Sequence, residues 1–167
     1  AIFVHALRPA GMERLVGPPI LEQALAFPGE VGLAAASMLT GGTLARCPRL
    51  RIAFSHGGGT LASLLPRLTQ GWKTFPALAD RLSESPAETA KRLYYDTLVY
   101  DSATLRHLIQ TFGASQLMLG TDYPFNFHEP RPMGRLSEAG FDQSTQDALA
   151  FVNALRFLGN GAGLHAT

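Results

Sequence analysis

The chain has 167 residues, of which 46% are hydrophobic and 16% are charged, a composition typical of one ordinary globular domain. Its net charge is +1, so it lacks the basic excess that binding to nucleic acid or to an anionic membrane surface requires. No apolar run reaches the ~18 residues that span a bilayer, and the first residues do not follow the order of a signal peptide. We therefore expect a cytoplasmic protein with neither a nucleic-acid partner nor a membrane partner.

Short apolar segments predict four buried β-strands, each leading into a polar residue that can carry chemistry. The predicted strands are 2–4, 51–54, 93–95 and 117–119. The polar residues that follow or end them are His5, His56, Asp96 and Asp122.

Capping signals predict helices between these strands. Residues 85–88 have the capping-box pattern, with Pro86 at the first helical position. Asp101 or Ser102 caps a helix that Gly113 ends. The apolar stripe of that helix consists of Leu105, Leu108, Ile109 and Phe112.

Three further helices are predicted from apolar periodicity. One spans 31–46, and a second follows Thr60 and should bend at Pro66, because proline removes a helical hydrogen bond. The third begins at Asp142 and ends before Gly159. Its predicted apolar side consists of Leu149, Val152, Leu155 and Leu158.

The alternation of strands and helices predicts a parallel α/β architecture, and no linker divides the chain. In such folds, reactive groups gather at the carboxyl ends of the strands, on one face of the molecule. The polar residues that follow the four predicted strands are therefore expected to lie together.

His5 and Asp122 are the best candidates for metal ligands. Neutral imidazole and carboxylate together suit zinc or another first-row divalent ion, and a barrel builds such a site from one ligand at each of several strand ends. The alternative is that each is a hydrogen-bonded residue at the end of a strand. The presence of His56 at a third strand end favours a metal site over that alternative.

His56 can act as a general acid or base, because imidazole titrates near neutrality. The glycines at 57–59 predict a sharp turn, and we expect them to let substrate or a metal-associated water approach the backbone. An anion-binding nest is the competing interpretation, but the chain has neither a P-loop lysine nor a G-x-G-x-x-G unit. Metal chemistry is therefore preferred to nucleotide binding.

The remaining titratable candidates carry weaker signals. Asp96 is either a partner that supports the site or a cap of a helix or turn. His107 is interpreted as a surface or packing residue, His128 as a solvated loop residue, and His165 as part of a disordered tail. None of these histidines is predicted to be catalytic.

Cys47, Trp72 and Phe75 are interpreted as structural. Cys47 is the single cysteine of the chain, so it forms no internal disulfide, and no histidine base neighbours it in the sequence. Trp72 and Phe75 are expected in the core or at an interface.

Several segments resemble the amidohydrolase family that contains aminocarboxymuconate-semialdehyde decarboxylase and related aromatic-acid decarboxylases. These segments are FVHALRP, FSHGGG, LYYDTLVYD, LMLGTDYPF and NALRFLGN. The resemblance implies a metal-dependent (β/α)₈ TIM barrel of which this chain is the C-terminal half, strands five to eight. Residues 1–167 would then form a single, partial domain that lacks its N-terminal half.

The resemblance also implies roles for individual residues. His5 and Asp122 match metal ligands, and Asp122 is also assigned a catalytic role. His56 matches the catalytic histidine and is in addition a possible metal ligand. Arg67 matches an arginine that reaches across a dimer to the neighbour's substrate carboxylate, although from its own sequence context it is a surface cation. Arg8 is a further candidate for substrate binding.

Departures from the family bear on the predicted function. The chain has no His-x-His pair, which in the family supplies two ligands, and Ala6 and Leu7 replace a Pro-Trp pair. The expected activity is decarboxylation of a small unsaturated or aromatic acid. The expected metal is zinc, with manganese as the alternative. The expected partner is a second copy of the chain in a homodimer or a complementing N-terminal half. The alternatives are a lactone or amide hydrolase and a non-catalytic fragment or binding subunit. The isolated chain is expected to be nearly inactive.

Overall fold

A computed structural model describes residues 1–159, so His165 lies outside the described residues. Its centre is a parallel sheet of four strands in the order β1-β2-β3-β4. The strands are β1 (Ile2–Val4), β2 (Ile52–Phe54), β3 (Tyr94–Asp96) and β4 (Leu117–Met118). Each predicted strand is confirmed to within one residue at either end, and so is the parallel α/β class.

Helices connect and follow the strands. They are α1 (Phe27–Thr40), α2 (Thr43–Arg46), α3 (Leu61–Thr74), α4 (Pro76–Ala79), α5 (Pro86–Ala90), α6 (Ser102–Phe112), α7 (Pro132–Glu138), α8 (Gln143–Asp147) and α9 (Asn153–Leu158). Single 3₁₀ turns lie at Met12–Arg14, His56–Gly58 and Ala114–Gln116, and π-helical turns lie at Glu22–Ala26 and Ala148–Val152.

The two faces of the sheet bury different sets of side chains, because successive side chains of a strand point to opposite faces. The larger cluster packs residues such as Phe54, Tyr95 and Leu117 against the helices. The smaller cluster, on the opposite face, consists of Ala53, Tyr94, Met118 and Phe157.

The predicted caps are confirmed. The side chain of Ser85 accepts a hydrogen bond from the N–H of Glu88 at the start of α5. Asp101 accepts from the N–H of Thr104 at the start of α6. Gly113 follows the last residue of α6, so this helix has the bounds that its sequence predicted.

The predicted helix 31–46 is wrong in its bounds. The structure begins α1 four residues earlier, at Phe27, and breaks the segment at Gly41 and Gly42. Gly42 has φ +69°, a left-handed conformation that interrupts a right-handed helix. In α3, by contrast, the helix continues across Pro66 to Thr74.

The predicted apolar side of the last helix is also partly wrong. Leu149 is fully buried, as predicted, but Leu158 is 56% exposed. After Leu149, the buried residues of this helical segment are Asn153 and Phe157, neither of which was on the predicted apolar side. The π-helical turn Ala148–Val152 explains the change, because its wider turn rotates the following residues about the helix axis. Gly159 ends the helix with φ +93°, as predicted.

The prediction that every strand is buried is wrong for β1. Ile2 is 51% exposed and Phe3 is 52% exposed, whereas all three residues of β2 are buried. β1 forms one edge of the sheet, and within residues 1–159 it pairs with β2 alone.

The residues interpreted as structural are less buried than expected. Cys47 and Phe75 are exposed, so neither lies in the core. Trp72 is half-buried, and its indole N–H donates to the carbonyl of Leu82. Among residues 1–159, no helix combines the length and the apolar character that crossing a bilayer demands.

Candidate metal centre

The ends of three strands bring together the side chains of His5, His56 and Asp122. His5 Nε2 lies 3.5 Å from Asp122 Oδ1, and His56 Nε2 lies 3.9 Å from Asp122 Oδ2. One ligand atom from each residue lies within 4.8 Å of the others. The structure therefore confirms the prediction that these three side chains lie close together.

The backbone at His56 and Asp122 is unusual. His56 has φ +55° and Asp122 has φ +63°, the left-handed conformation that residues with a Cβ rarely adopt. Such conformations persist only where the surroundings over-determine them, and they concentrate at functional sites. Two of the three converging side chains are thus held on strained backbone.

The glycines after His56 form the sharp turn that the sequence predicted. Gly57, Gly58 and Gly59 have φ of +62°, +77° and +60°. A Cβ on Gly57 would lie 2.5 Å from a methyl carbon of Leu108, and one on Gly58 would lie 2.6 Å from the ring of Tyr95. Close packing of core side chains therefore explains why both positions are glycine, while the approach of substrate or water to this backbone stays a prediction.

Gly59 is constrained by backbone instead. A Cβ there would overlap the carbonyl oxygen of Pro28 in α1. The turn that presents His56 therefore packs directly onto α1 and α6 through positions where only glycine fits.

His5 has a defined orientation. Its Nδ1 donates a hydrogen bond of 2.6 Å to the carbonyl of Ala6, so when the ring carries a single proton the lone pair lies on Nε2, which faces Asp122. This arrangement, in which the second ring nitrogen fixes the tautomer, is typical of metal-binding histidines. The side chain of His5 is 36% exposed, the highest value of the three.

His56 is the most buried of the three, with a side chain 9% exposed. Burial lowers the pKa of His56, the adjacent His5 lowers it further, and the Asp122 carboxylate opposes both. The ring is therefore neutral near pH 7 and can accept a proton. Its Nδ1 lies 3.4 Å from the hydroxyl of Ser55, and its ring centroid lies 4.8 Å from that of His5.

Asp96 lies at the end of β3, behind the three converging side chains. Its Oδ1 accepts hydrogen bonds from the N–H groups of Gly57, at 2.8 Å, and Leu98, at 3.0 Å. Burial raises the pKa of Asp96 to about 6, although those N–H groups hold the pKa down. Asp96 therefore caps the turn that carries His56, which confirms its interpretation as a cap.

A cavity of about 730 Å³ opens over the three side chains. Most of its wall is apolar or aromatic. The side chains of that kind are Ala6, Leu7, Ala24, Phe27, Pro28, Leu98, Val99, Tyr100, Phe125 and Phe127. Within the described part of the chain, no lysine or arginine lines this cavity.

The structure separates the predicted arginines from this cavity. Arg67 is exposed on α3 and Arg8 is exposed in the loop after β1, and neither is among the lining residues. His107 is exposed on α6, as expected. His128 differs from its prediction, because its Nδ1 is buried and has no hydrogen-bond partner among residues 1–159.

The sequence patterns did not identify Thr97, Tyr100 or Phe127. Tyr100 stacks on Phe127 at a centroid distance of 4.9 Å and donates its hydroxyl to the Phe127 carbonyl. Burial raises the pKa of Tyr100 to about 12, with the carboxylates of Asp122, Glu129 and Asp96 adding to the shift. The signal available in the sequence was the position of these residues, just after β3 and in the loop that follows Asp122.

Known proteins resemble the chain over nearly all of its length. A family model described as amidohydrolase matches residues 2–159. The 2-amino-3-carboxymuconate-6-semialdehyde decarboxylase of Dictyostelium discoideum is 35% identical over 163 residues, which are 95% of this chain and 45% of that protein.

Solved structures show the same fold. The 5-carboxyvanillate decarboxylase LigW from Sphingomonas paucimobilis aligns with a TM-score of 0.81 at 24% identity, covering 94% of this chain and 48% of that one. A dihydroxybenzoic acid decarboxylase from Polaromonas sp. JS666, solved with bound manganese and the inhibitor 2-nitroresorcinol, aligns with a TM-score of 0.76 at 19% identity, covering 94% and 49%. The chain thus spans about half the length of the proteins it matches.

Proposed function

Because the chain belongs to the amidohydrolase family, we propose that it is the metal-binding and proton-transferring portion of a decarboxylase for a small unsaturated or aromatic carboxylic acid. We assign its strands to positions five to eight of a TIM barrel. The observation that carries the proposal is the convergence of His5, His56 and Asp122 within 4.8 Å beneath an apolar cavity. The similar proteins named above are decarboxylases, which supports the reaction class.

The converging donors fit a divalent metal. Nε2 of His5 has a free lone pair facing the cluster, and Asp122 supplies a carboxylate oxygen. Two imidazoles and one carboxylate suit zinc and also suit manganese, the ion bound in the Polaromonas relative. We propose His5 and Asp122 as ligands and zinc as the first candidate ion. Nε2 of His56 lies within reach as an alternative ligand, a role that excludes proton delivery from the same nitrogen.

A divalent ion held there supplies Lewis-acid polarisation of substrate oxygen atoms. His56 supplies the proton chemistry, because its ring is neutral near pH 7 and its Nε2 faces the cluster. In decarboxylation the bond between carbon and carboxylate breaks, carbon dioxide leaves, and the carbon takes a proton. We assign its delivery to Nε2 of His56: the neutral ring first takes up a proton from solvent at this nitrogen and then passes it to the carbon.

The cavity supports an apolar substrate body. Its aromatic and aliphatic walls suit a planar unsaturated or aromatic acid. A substrate carboxylate needs a cation, which the lining residues among 1–159 do not provide. We therefore propose that this cation comes from another chain, either Arg67 of a second copy or the complementing half, because neither Arg67 nor Arg8 of this chain lines the cavity.

The proposed assembly is a homodimer or a complex with a complementing N-terminal half, located in the cytoplasm. The open edge at β1, where Ile2 and Phe3 are about half exposed, supports an additional chain at that edge.

Metal analysis after dialysis tests the ligand assignment. The isolated chain should retain less than stoichiometric zinc, because two firm ligands hold a divalent ion weakly. A form completed with a His-x-His-bearing N-terminal half should retain zinc, and His5→Ala and Asp122→Ala should lower its metal content. His107→Ala, which changes an exposed histidine on α6, is the matched control. Stoichiometric zinc in the isolated chain would contradict the weak-site prediction.

Turnover of the completed form tests the reaction. A panel of aromatic and muconate-type acids should release carbon dioxide, and His56→Ala should lower turnover more than metal content. Full turnover by His56→Ala would remove this residue from the proposed mechanism. Hydrolysis of lactones or amides without carbon dioxide release would favour the hydrolase alternative, and a completed form without either activity would favour a non-catalytic role.

A further inference from the structure

The end of β3 carries two consecutive buried polar residues, Asp96 and Thr97, which are 4% and 5% exposed. β3 lies between β2, which leads to His56, and β4, which leads to Asp122. Neither Asp96 nor Thr97 belongs to the group of converging side chains. Their burial therefore calls for a role other than that of a ligand.

Asp96 reaches towards the β2 side. Its Oδ1 accepts the N–H of Gly57, the residue that follows His56, at 2.8 Å. The same oxygen accepts the N–H of Leu98 at 3.0 Å and so fixes the direction in which the chain leaves β3. A carboxylate oxygen that accepts backbone N–H groups in a buried place forms strong, geometrically restrictive hydrogen bonds.

Thr97 reaches towards the β4 side. Its Oγ1 accepts the N–H of Gly120, two residues before Asp122, at 3.2 Å. Gly120 also packs against Asp96, because a Cβ at Gly120 would lie 2.6 Å from Asp96 Cβ. The pair therefore connects the backbone beside one candidate site residue to the backbone beside the other.

Both of these backbone segments include a non-glycine residue in a left-handed conformation. His56 and Asp122 have φ of +55° and +63°, and their side chains face each other at 3.9 Å. We propose that Asp96 and Thr97 are positioning residues that set the separation of His56 from Asp122 and so tune the affinity of the metal centre. This inference rests on the proposed metal-binding function.

Cobalt(II) is the probe for the test, because its visible absorption reports both binding and coordination geometry. Asp96→Ala removes the acceptor for Gly57, and Thr97→Val removes the acceptor for Gly120 at nearly unchanged size. Each should weaken cobalt binding by about tenfold or more and alter the absorption spectrum, as changes behind metal ligands do. Asp96→Asn and Thr97→Ser keep an acceptor oxygen and should retain most of the affinity.

Asn153→Ala is the matched control for lost stability. Asn153 is also a buried polar residue, but its amide donates to the carbonyls of Ala114 and Leu117, at the opposite end of β4. This variant should lower stability and leave cobalt affinity and spectrum unchanged. Cobalt affinity within twofold of wild type in both Asp96→Ala and Thr97→Val would overturn the proposal, as would equal loss in Asn153→Ala.

A metal-free measurement separates this proposal from the proposed function. Amide hydrogen exchange of Gly57 should accelerate in Asp96→Ala, and that of Gly120 should accelerate in Thr97→Val, while the His56 ring resonances shift in both. The cobalt titrations use the form completed with the N-terminal half, so the proposed metal function fails if the wild-type version of that form binds no cobalt. If the exchange rates and the ring resonances match those of wild type, the positioning role fails, whatever the cobalt result.

Discussion

The two edges of the sheet, β1 and β4, each lead to one of the proposed metal ligands, yet they are built differently. At the β4 edge, Leu117 is fully buried and Met118 is 5% exposed. At the β1 edge, Ile2 and Phe3 are 51% and 52% exposed. Asp122 therefore follows a covered edge and His5 an open one.

The last helical segment covers the β4 edge. The N–H of Leu119 donates at 2.8 Å to the carbonyl of Leu149, in the π-helical turn. Asn153 donates to the carbonyl of Leu117, and the ring of Phe157 lies 5.2 Å from that of Tyr94. The edge groups of β4 thus find partners in a helix, which is one of the ways in which proteins protect sheet edges.

The loops that carry the two ligands differ in the same way. The N–H of Glu129 donates to the carbonyl of Thr121, which closes the loop containing Asp122, and Glu129 also forms an ion pair with Arg135 of α7. His5 is held by its bond to the next residue, Ala6, and is the most exposed of the three converging side chains. The backbone around Asp122 is therefore held by more contacts with the rest of the described chain than the backbone around His5.

The largest expected effect on the free energy of unfolding comes from removing a buried side chain of the helical segment that covers the β4 edge. Leu149→Ala should lower the free energy of unfolding by about 2–5 kcal/mol, because the side chain is fully buried and leaves a cavity. Phe3→Ala, at the open edge, should lower it by about 1 kcal/mol or less. Urea unfolding of both variants measures the difference.

Similar losses in the two variants would contradict the comparison of the two edges. Leu158→Ala provides the control within the same helical segment, because Leu158 is 56% exposed. It should stay within about 0.5 kcal/mol of wild type.

The strands and their polar ends could be predicted from sequence because each is a local pattern. An apolar run followed by a histidine or aspartate was enough to place His5, His56 and Asp122 at one end of a parallel sheet. The difference between β1 and β4 could not be predicted, because both read as short apolar runs. Which strand is covered depends on where residues 148–158 pack, and no local pattern contains that information.

The turn after His56 shows a second limit. Its glycines predicted a change of direction, but the neighbours that require them, Leu108, Tyr95 and Pro28, are distant in sequence. The positive φ of His56 and Asp122 has no sequence signature either, since these residue types also occur in ordinary extended backbone. Long-range packing decided both features.

A smaller effect is expected at the closed loop after β4. Burial raises the pKa of Glu129, but the N–H of Arg131 and the guanidinium of Arg135 outweigh it, so the pKa lies below its ordinary value of 4.5. Glu129→Gln should therefore cost about 2 kcal/mol of unfolding free energy at pH 7, the value of a hydrogen bond to a charged group. Urea unfolding across a pH series measures this cost.

The sign of the pH dependence follows from the lowered pKa. Ionised Glu129 contributes its stability above pH 4.5, and the contribution is lost as the pH falls through the folded-state value. The difference between wild type and Glu129→Gln should thus shrink in acid. Glu138→Gln is the control, because Glu138 pairs with the same arginines but is 44% exposed, and it should cost about 0.5 kcal/mol or less. A difference that grows in acid would contradict the assignment.

The smallest of these effects is expected in self-association through the open edge. An exposed strand edge is a template for pairing with another chain, and a lysine placed on it blocks that pairing. Phe3→Lys should therefore weaken self-association about tenfold, or about 1.4 kcal/mol, as measured by sedimentation over a concentration series. Phe151→Lys is the matched control, since Phe151 is also a phenylalanine and is 59% exposed, close to the 52% of Phe3, but lies in the turn Ala148–Val152 on the β4 side of the sheet. A wild-type chain that stays monomeric at micromolar concentration, or equal weakening by Phe151→Lys, would show that β1 is not the edge through which copies associate.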